Sequence, residues 1–186
     1  MQSSLAGKLL IAMPGIGDPR FERAVVLVCL HTEQQAMGLI LNKPRPEVTL
    51  HQVLEHLGID AAGTVGDRNV LDGGPVRPEQ GYVLHSDDFE FPEGTQAIAP
   101  GIRMSMTRDV LESLADQAAP KDFVLALGYA GWGQGQLEKE LLDNTWLVSD
   151  CERAIVFDEA CEEKWRRAVE RLGIKPFQLS GAAGRA

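Results

Sequence analysis

Residues 24–41, AVVLVCLHTEQQAMGLIL, carry the reading that decides the fold class. Ala24 to Leu30 is a nearly continuous apolar run rich in valine, the pattern of a strand buried on both faces. Thr32 to Gln35 form a polar turn, and Met37 to Leu41 supply a second apolar strand, so the pair reads as a hairpin. Consecutive parallel strands need a long crossover, whereas antiparallel ones close through a short turn. An early tight hairpin therefore points away from a regular doubly wound sheet and toward a mixed α+β domain.

Working outward, Leu9 to Met13 is a short strand stopped by Pro14-Gly15. Downstream, Asn42-Lys43-Pro44 closes the hairpin, and Pro44 with Pro46 is expected to prevent any continuation. Thr49 with Gln52 has the capping-box spacing, Leu50, Val53, Leu54 and Leu57 give one helical face, and Gly58 stops the helix. Residues 60–69 and 86–96 read as loops, Gly81 to His85 as a strand, and Ala97-Ile98 with Ile102 to Met104 as short strands split by Pro100-Gly101. Thr107 is placed to cap a helix through Val110, Leu111 and Leu114. Phe123 to Leu127 is a strand, Gly128 to Gly135 a glycine-rich turn, and Gln136 to Leu142 a helix. Ala154 to Phe157 reads as a strand, and Asp158 as the cap of a last helix through Cys161, Trp165, Ala168, Val169 and Leu172 that Gly173 ends. The small, polar tail after Leu179 is expected to be mobile. With no linker, repeat or low-complexity block, one domain over residues 1–186 is the expectation.

Eighteen basic against 27 acidic side chains give a formal charge of −9. The deficit is spread over both halves, −6 in residues 1–93 (7 basic, 13 acidic) and −3 in residues 94–186 (11 basic, 14 acidic). Nucleic-acid binding draws on positive charge to release phosphate counterions, so direct nucleic-acid binding is disfavoured. The densest basic cluster, Lys164, Arg166, Arg167, Arg171 and Lys175, is interleaved with Glu162, Glu163 and Glu170 and reads as a solvated helix face. Three cysteines without a C-x-x-C pair argue against a disulfide framework or a zinc knuckle and fit reducing cytoplasm. No apolar run approaches the roughly 20 residues of a spanning helix, so no membrane partner is expected.

Two constellations carry possible chemistry. Cys29 and His31 stand two apart on a strand and so share a face. They form either the start of a thiolate–imidazole pair, serving a thiol enzyme or redox switch, or a small buried hydrophobe beside an edge histidine. Gly131, Trp132, Gly133 and Gln136 stand where a strand meets a helix, either as an anion or nucleotide cradle or as a tight turn that packs Trp132. Neither G-x-G-x-x-G nor a P-loop is present. Gly73 and Gly74 read as a turn and as candidate ligand contacts, while His51 and His56, five apart, do not share the helix face that an i,i+4 metal pair needs. No metal site and no cofactor are expected.

Taken together, these segments resemble the YqgE/AlgH family of bacterial proteins. The resemblance rests on Leu10-Ile11-Ala12-Met13-Pro14, Cys29-x-His31, Ala36 to Pro44, Gly73-Gly74-Pro75-Val76, Leu84-His85-Ser86, Thr107-Arg108-Asp109-Val110-Leu111, Leu127 to Trp132, Gly135-Gln136-Leu137-Glu138 and Asn144-x-Trp146-Leu147. It implies an α+β domain with a curved, partly barrel-like sheet and packed helices, in a cytoplasmic bacterial protein. The family name carries a link to transcriptional control of alginate production, but the family transfers no catalytic residues. The leading expectation is a non-enzymatic regulatory or binding protein, acting indirectly through an unknown protein or small-molecule partner.

Overall fold

The computed structural model describes residues 4–61, 68–89, 93–115 and 119–179. The expected mobile tail beyond Leu179 and parts of both expected loops lie outside the described residues. The hairpin forms as read. Strands β2 (Val25–His31) and β3 (Gln35–Ile40) pair antiparallel, and β1 (Lys8–Ala12) pairs with β2 on its other side. Helix α1 (Leu50–His56) starts on the Thr49–Gln52 capping box with both reciprocal hydrogen bonds in place, and Gly58 past its end has φ of 69°.

The remaining strands are β4 (Pro44–Thr49), β5 (Asn69–Asp72), β6 (Val76–Ser86), β7 (Thr95–Ala99), β8 (Ile102–Ser105), β9 (Phe123–Gly133) and β10 (Trp146–Asp150). The helices are α2 (Arg108–Ala115), α3 (Gln136–Leu142), α4 (Arg153–Phe157) and α5 (Cys161–Arg171). The strand order is β10-β1-β2-β3-β9-β6-β8-β7, with β4 and β5 as a side branch joined parallel to β9 through β5. This curled, mostly antiparallel sheet with packed helices is the expected α+β class. The curl brings β7, one end of the path, to β2: the Gln96 side-chain amide on β7 donates to the Cys29 carbonyl on β2 at 3.3 Å.

Three apolar clusters sort the faces. Leu9, Leu27, Leu39, Leu84 and Met104 line the inner face, which α4 and α5 fill with Ile155, Val156, Trp165 and Val169. The Trp165 indole donates to the Ala12 carbonyl at 2.8 Å, fastening α5 to β1. Leu10, Val26, Ile40 and Trp132 form a second cluster that α3 covers with Leu137. Leu50 and Leu54 of α1 and Val110 and Leu114 of α2 cover the outer side of β6 and β9.

Several expectations are corrected. Pro44 and Pro46 do not end the chain's strand character, because β4 pairs only with β5, and a proline is tolerated where one side of a strand makes no ladder. Residues 128–133 are the second half of β9, not a turn; only Gln134-Gly135 turns the chain into α3. Ala154 to Phe157 is helix α4, four apolar residues being too few for periodicity to separate strand from helix. Asp158 is the C-cap of α4, and Ala160 is the N-cap of α5. Thr107 precedes α2 but its hydroxyl has no hydrogen-bond partner among the described residues, so it does not cap. The basic cluster forms the expected pairs of Arg166 with Glu163 and Glu170, yet Lys164 is turned inward and 3% exposed.

Candidate functional site

The expected Cys29–His31 partnership fails on one residue. The β2–β3 register slips between Val28 and Leu30, a bulge that inserts an extra position. Cys29 therefore stays with the inner cluster, whereas His31 lies opposite Ala36, a member of the α3-covered cluster. The His31 ring is fully engaged there: Nδ1 accepts from the Leu5 amide at 3.0 Å, leaving Nε2–H to donate to Glu138 at 2.8 Å. Cys29 is 1% exposed and burial pushes its thiol up to about 12. Burial does the same to Cys151, also about 12, and raises Cys161. None of these thiols has the depressed pKa that marks a reactive cysteine.

The glycine candidates serve close packing. A Cβ on Gly73 would lie 2.3 Å from the Gly128 carbonyl oxygen, and one on Gly74, at φ of 146°, 2.1 Å from the Tyr129 carbonyl carbon. Here the β5–β6 connection crosses β9 with no room for a side chain. At the β9–α3 junction, the Gly133 amide donates to Gln136 Oε1 at 3.1 Å. Gln136 Nε2 donates to Glu140 Oε1 at 3.0 Å, and Trp132 and Trp146 both donate their indole N–H to Glu140 Oε2, at 2.9 and 2.8 Å. The expected anion cradle thus already holds a carboxylate from its own helix. Gly74 lines one cleft and Gly131 with Trp132 another, and Cys29 lines neither. Among the described residues no three His, Cys, Asp or Glu side chains converge as metal ligands.

One apolar surface feature is one the sequence reading missed. A groove of about 710 Å³ runs between α1, α2 and the outer face of β6 and β9. Val53 of α1, Leu57 just past its end, Leu111 of α2, and Leu125 and Leu127 of β9 form its walls and floor. Met106 stands 52% exposed and Leu57 40% exposed at its lips. Arg108 fixes the width by donating to the Leu57 carbonyl at 2.9 Å while pairing with Glu112 at 2.7 Å. One rim comes from residues 77–80, which leave the β6–β9 ladder between Val76 and Gly81 and put Arg77 at φ of 47°. Gln80 and Met106 also line a neighbouring cleft of about 440 Å³, where Tyr82 and Tyr129 meet edge to face at 6.0 Å beside Met37 and Trp132. The two depressions are therefore neighbours, with Gln80 and Met106 between them. Met106 was the available signal: an apolar residue between a strand and a helix that neither pattern needed.

Residues 9–177 match the profile of a family described as AlgH-like. The chain belongs to the AlgH-like family. This AlgH-like chain is 49% identical over 183 residues to the UPF0301 protein of Caulobacter vibrioides, covering 98% of this chain and 94% of that one. It is 48% identical over 186 residues to the UPF0301 protein of Paracoccus denitrificans, at 99% and 98% coverage. Among solved structures, the solution structure of AlgH from Pseudomonas aeruginosa superposes with a TM-score of 0.79 at 37% identity over the full length of both chains. A crystal structure from Corynebacterium diphtheriae, 18% identical, gives 0.74 over 92% of this chain and 88% of that one and shares the fold. No helix among the described residues is long and apolar enough to cross a membrane.

Proposed function

We propose that this AlgH-like chain is a non-enzymatic binding protein that recognises an apolar segment of a partner along the groove and its neighbouring cleft. The observation carrying the reading is the apolar groove between α1, α2 and β9, with the exposed Met106 shared between it and the neighbouring cleft. Their lining of methionine, tyrosine, tryptophan and leucine, with Arg108 and Arg77 at the edges, matches the composition of interface cores, which favour aromatic residues, Met and Arg. The buried, protonated thiols weigh against the thiol-enzyme or redox-switch alternative, and Glu138 and Glu140 beside the glycines weigh against the nucleotide-binding alternative.

On this reading any regulatory role in transcription is exercised through a protein or small-molecule partner in the cytoplasm, because the −9 charge opposes duplex DNA. The test uses the fluorescent apolar probe anilinonaphthalene sulfonate on the folded chain. The probe binds saturably to the native protein, and Met106→Asp weakens it at least about fivefold while shifting stability by under roughly 0.5 kcal/mol, as exposed sites do. Absence of saturable binding, or binding that the substitution leaves unchanged, overturns the reading.

A further inference from the structure

A second cleft, of about 310 Å³, opens on the opposite side of the branch formed by β4 and β5. Leu41, Leu71 and Val124 from the sheet and Val156 and Phe157 from α4 make it mostly apolar, and Lys164 of α5 forms part of its wall. Lys164 is unlike the other five lysines. It is 3% exposed, whereas Lys8, Lys43, Lys121, Lys139 and Lys175 are exposed or half-exposed. Its Nζ has one partner among the described residues, the Val156 carbonyl at 2.6 Å. An ammonium carries three donors, and burying it with a single hydrogen-bond partner favours the neutral amine. Of the carboxylates that line the cleft, Glu159 is paired with Arg167 at 3.7 Å.

We propose that Lys164 is the reactive amine of a cleft that takes small apolar aldehydes or ketones, which it condenses to an imine. The Nζ lone pair attacks the carbonyl carbon and a C–N bond forms. The carbinolamine then loses water, which carries away the carbonyl oxygen and the two amine hydrogens, so no redox partner is needed. The apolar wall holds the alkyl part of the ligand, and Glu159 and Glu162 also line the cleft. Burial also holds the Lys164 pKa below the ordinary lysine range, with Cys161, Glu159 and Asp158 opposing the shift. A larger fraction is therefore neutral at pH 7 than for a lysine in the ordinary range.

The experiment treats the whole chain with butanal and sodium cyanoborohydride at pH 7 and follows each lysine by peptide mass spectrometry. Lys164 is expected to be alkylated at least about tenfold faster than Lys121 and Lys139, and its rate is expected to rise less steeply from pH 7 to 9 than theirs. With pyrenecarboxaldehyde, too large for the cleft, that preference is expected to vanish. If Lys164 reacts more slowly than the exposed lysines, it is only a structural donor to the Val156 carbonyl and the proposal fails. A preference retained with the large aldehyde overturns the role of the cleft.

Discussion

At the scale of single residues, the sharpest dependence in this chain is on Glu140. One carboxylate oxygen takes both indole N–H groups, and both tryptophans are only 5% exposed. Removing a charged acceptor strands its buried donors. Glu140→Ala is therefore expected to cost roughly 1.5–3 kcal/mol in urea unfolding and to shift tryptophan emission; a change under about 0.5 kcal/mol would refute this account. His85 sets a second dependence. Its ring is wholly buried, with Nδ1–H donating to the Ser86 carbonyl at 2.9 Å and Nε2 accepting from the Ser105 hydroxyl at 2.9 Å. Burial lowers its pKa in the folded state, so the unfolded chain binds the proton first. Stability is then full above about pH 6.5 and is lost as the pH falls from there toward the folded value. The depressed carboxylates Asp88 and Glu138 act lower, below the ordinary range of an acid. A loss between pH 6.5 and 5 that persists in His85→Asn would assign the effect elsewhere.

At the scale of elements, the hairpin and α1 were legible because each is coded locally, by a run of apolar residues or a four-residue cap. The bulge between Val28 and Leu30 was not, since nothing in VVLVCLH marks which position lacks a partner; the partner strand decides it. The same slip separated Cys29 from His31, so the site reading failed where the strand rule was applied one residue too far. The glycines misled for a related reason: Gly73 and Gly74 read as a turn open to a ligand, but the backbone of Gly128 and Tyr129, distant in the chain, comes too close for any side chain there. Gly74→Ala is accordingly expected to destabilise by at least about 2 kcal/mol, because both its left-handed conformation and its contact with Tyr129 forbid a Cβ. Near-native thermal stability of that variant would show that the crossing relaxes. The groove was illegible because its walls come from α1, α2, β6 and β9, which only the folded sheet assembles.

At the scale of the molecule, the strand order has a consequence for synthesis. β1 is an interior strand whose two neighbours are β2 and β10, so one edge of Leu9-Leu10-Ile11 stays open until residues 146–150 exist. At translation rates of about 5–20 residues per second, that wait is on the order of ten seconds. An unpaired apolar edge is an invitation to wrong pairing over that time. Ribosome-bound chains arrested after residue 140 are expected to recruit a chaperone through residues 8–12, and chains arrested well beyond residue 150 are expected to release it. Crosslinking that does not change between the two lengths would mean that β1 is sheltered some other way. The strand at residues 146–150 thus acts as a cover for the one at residues 8–12, and the newborn chain carries its own aggregation risk until that cover has been made.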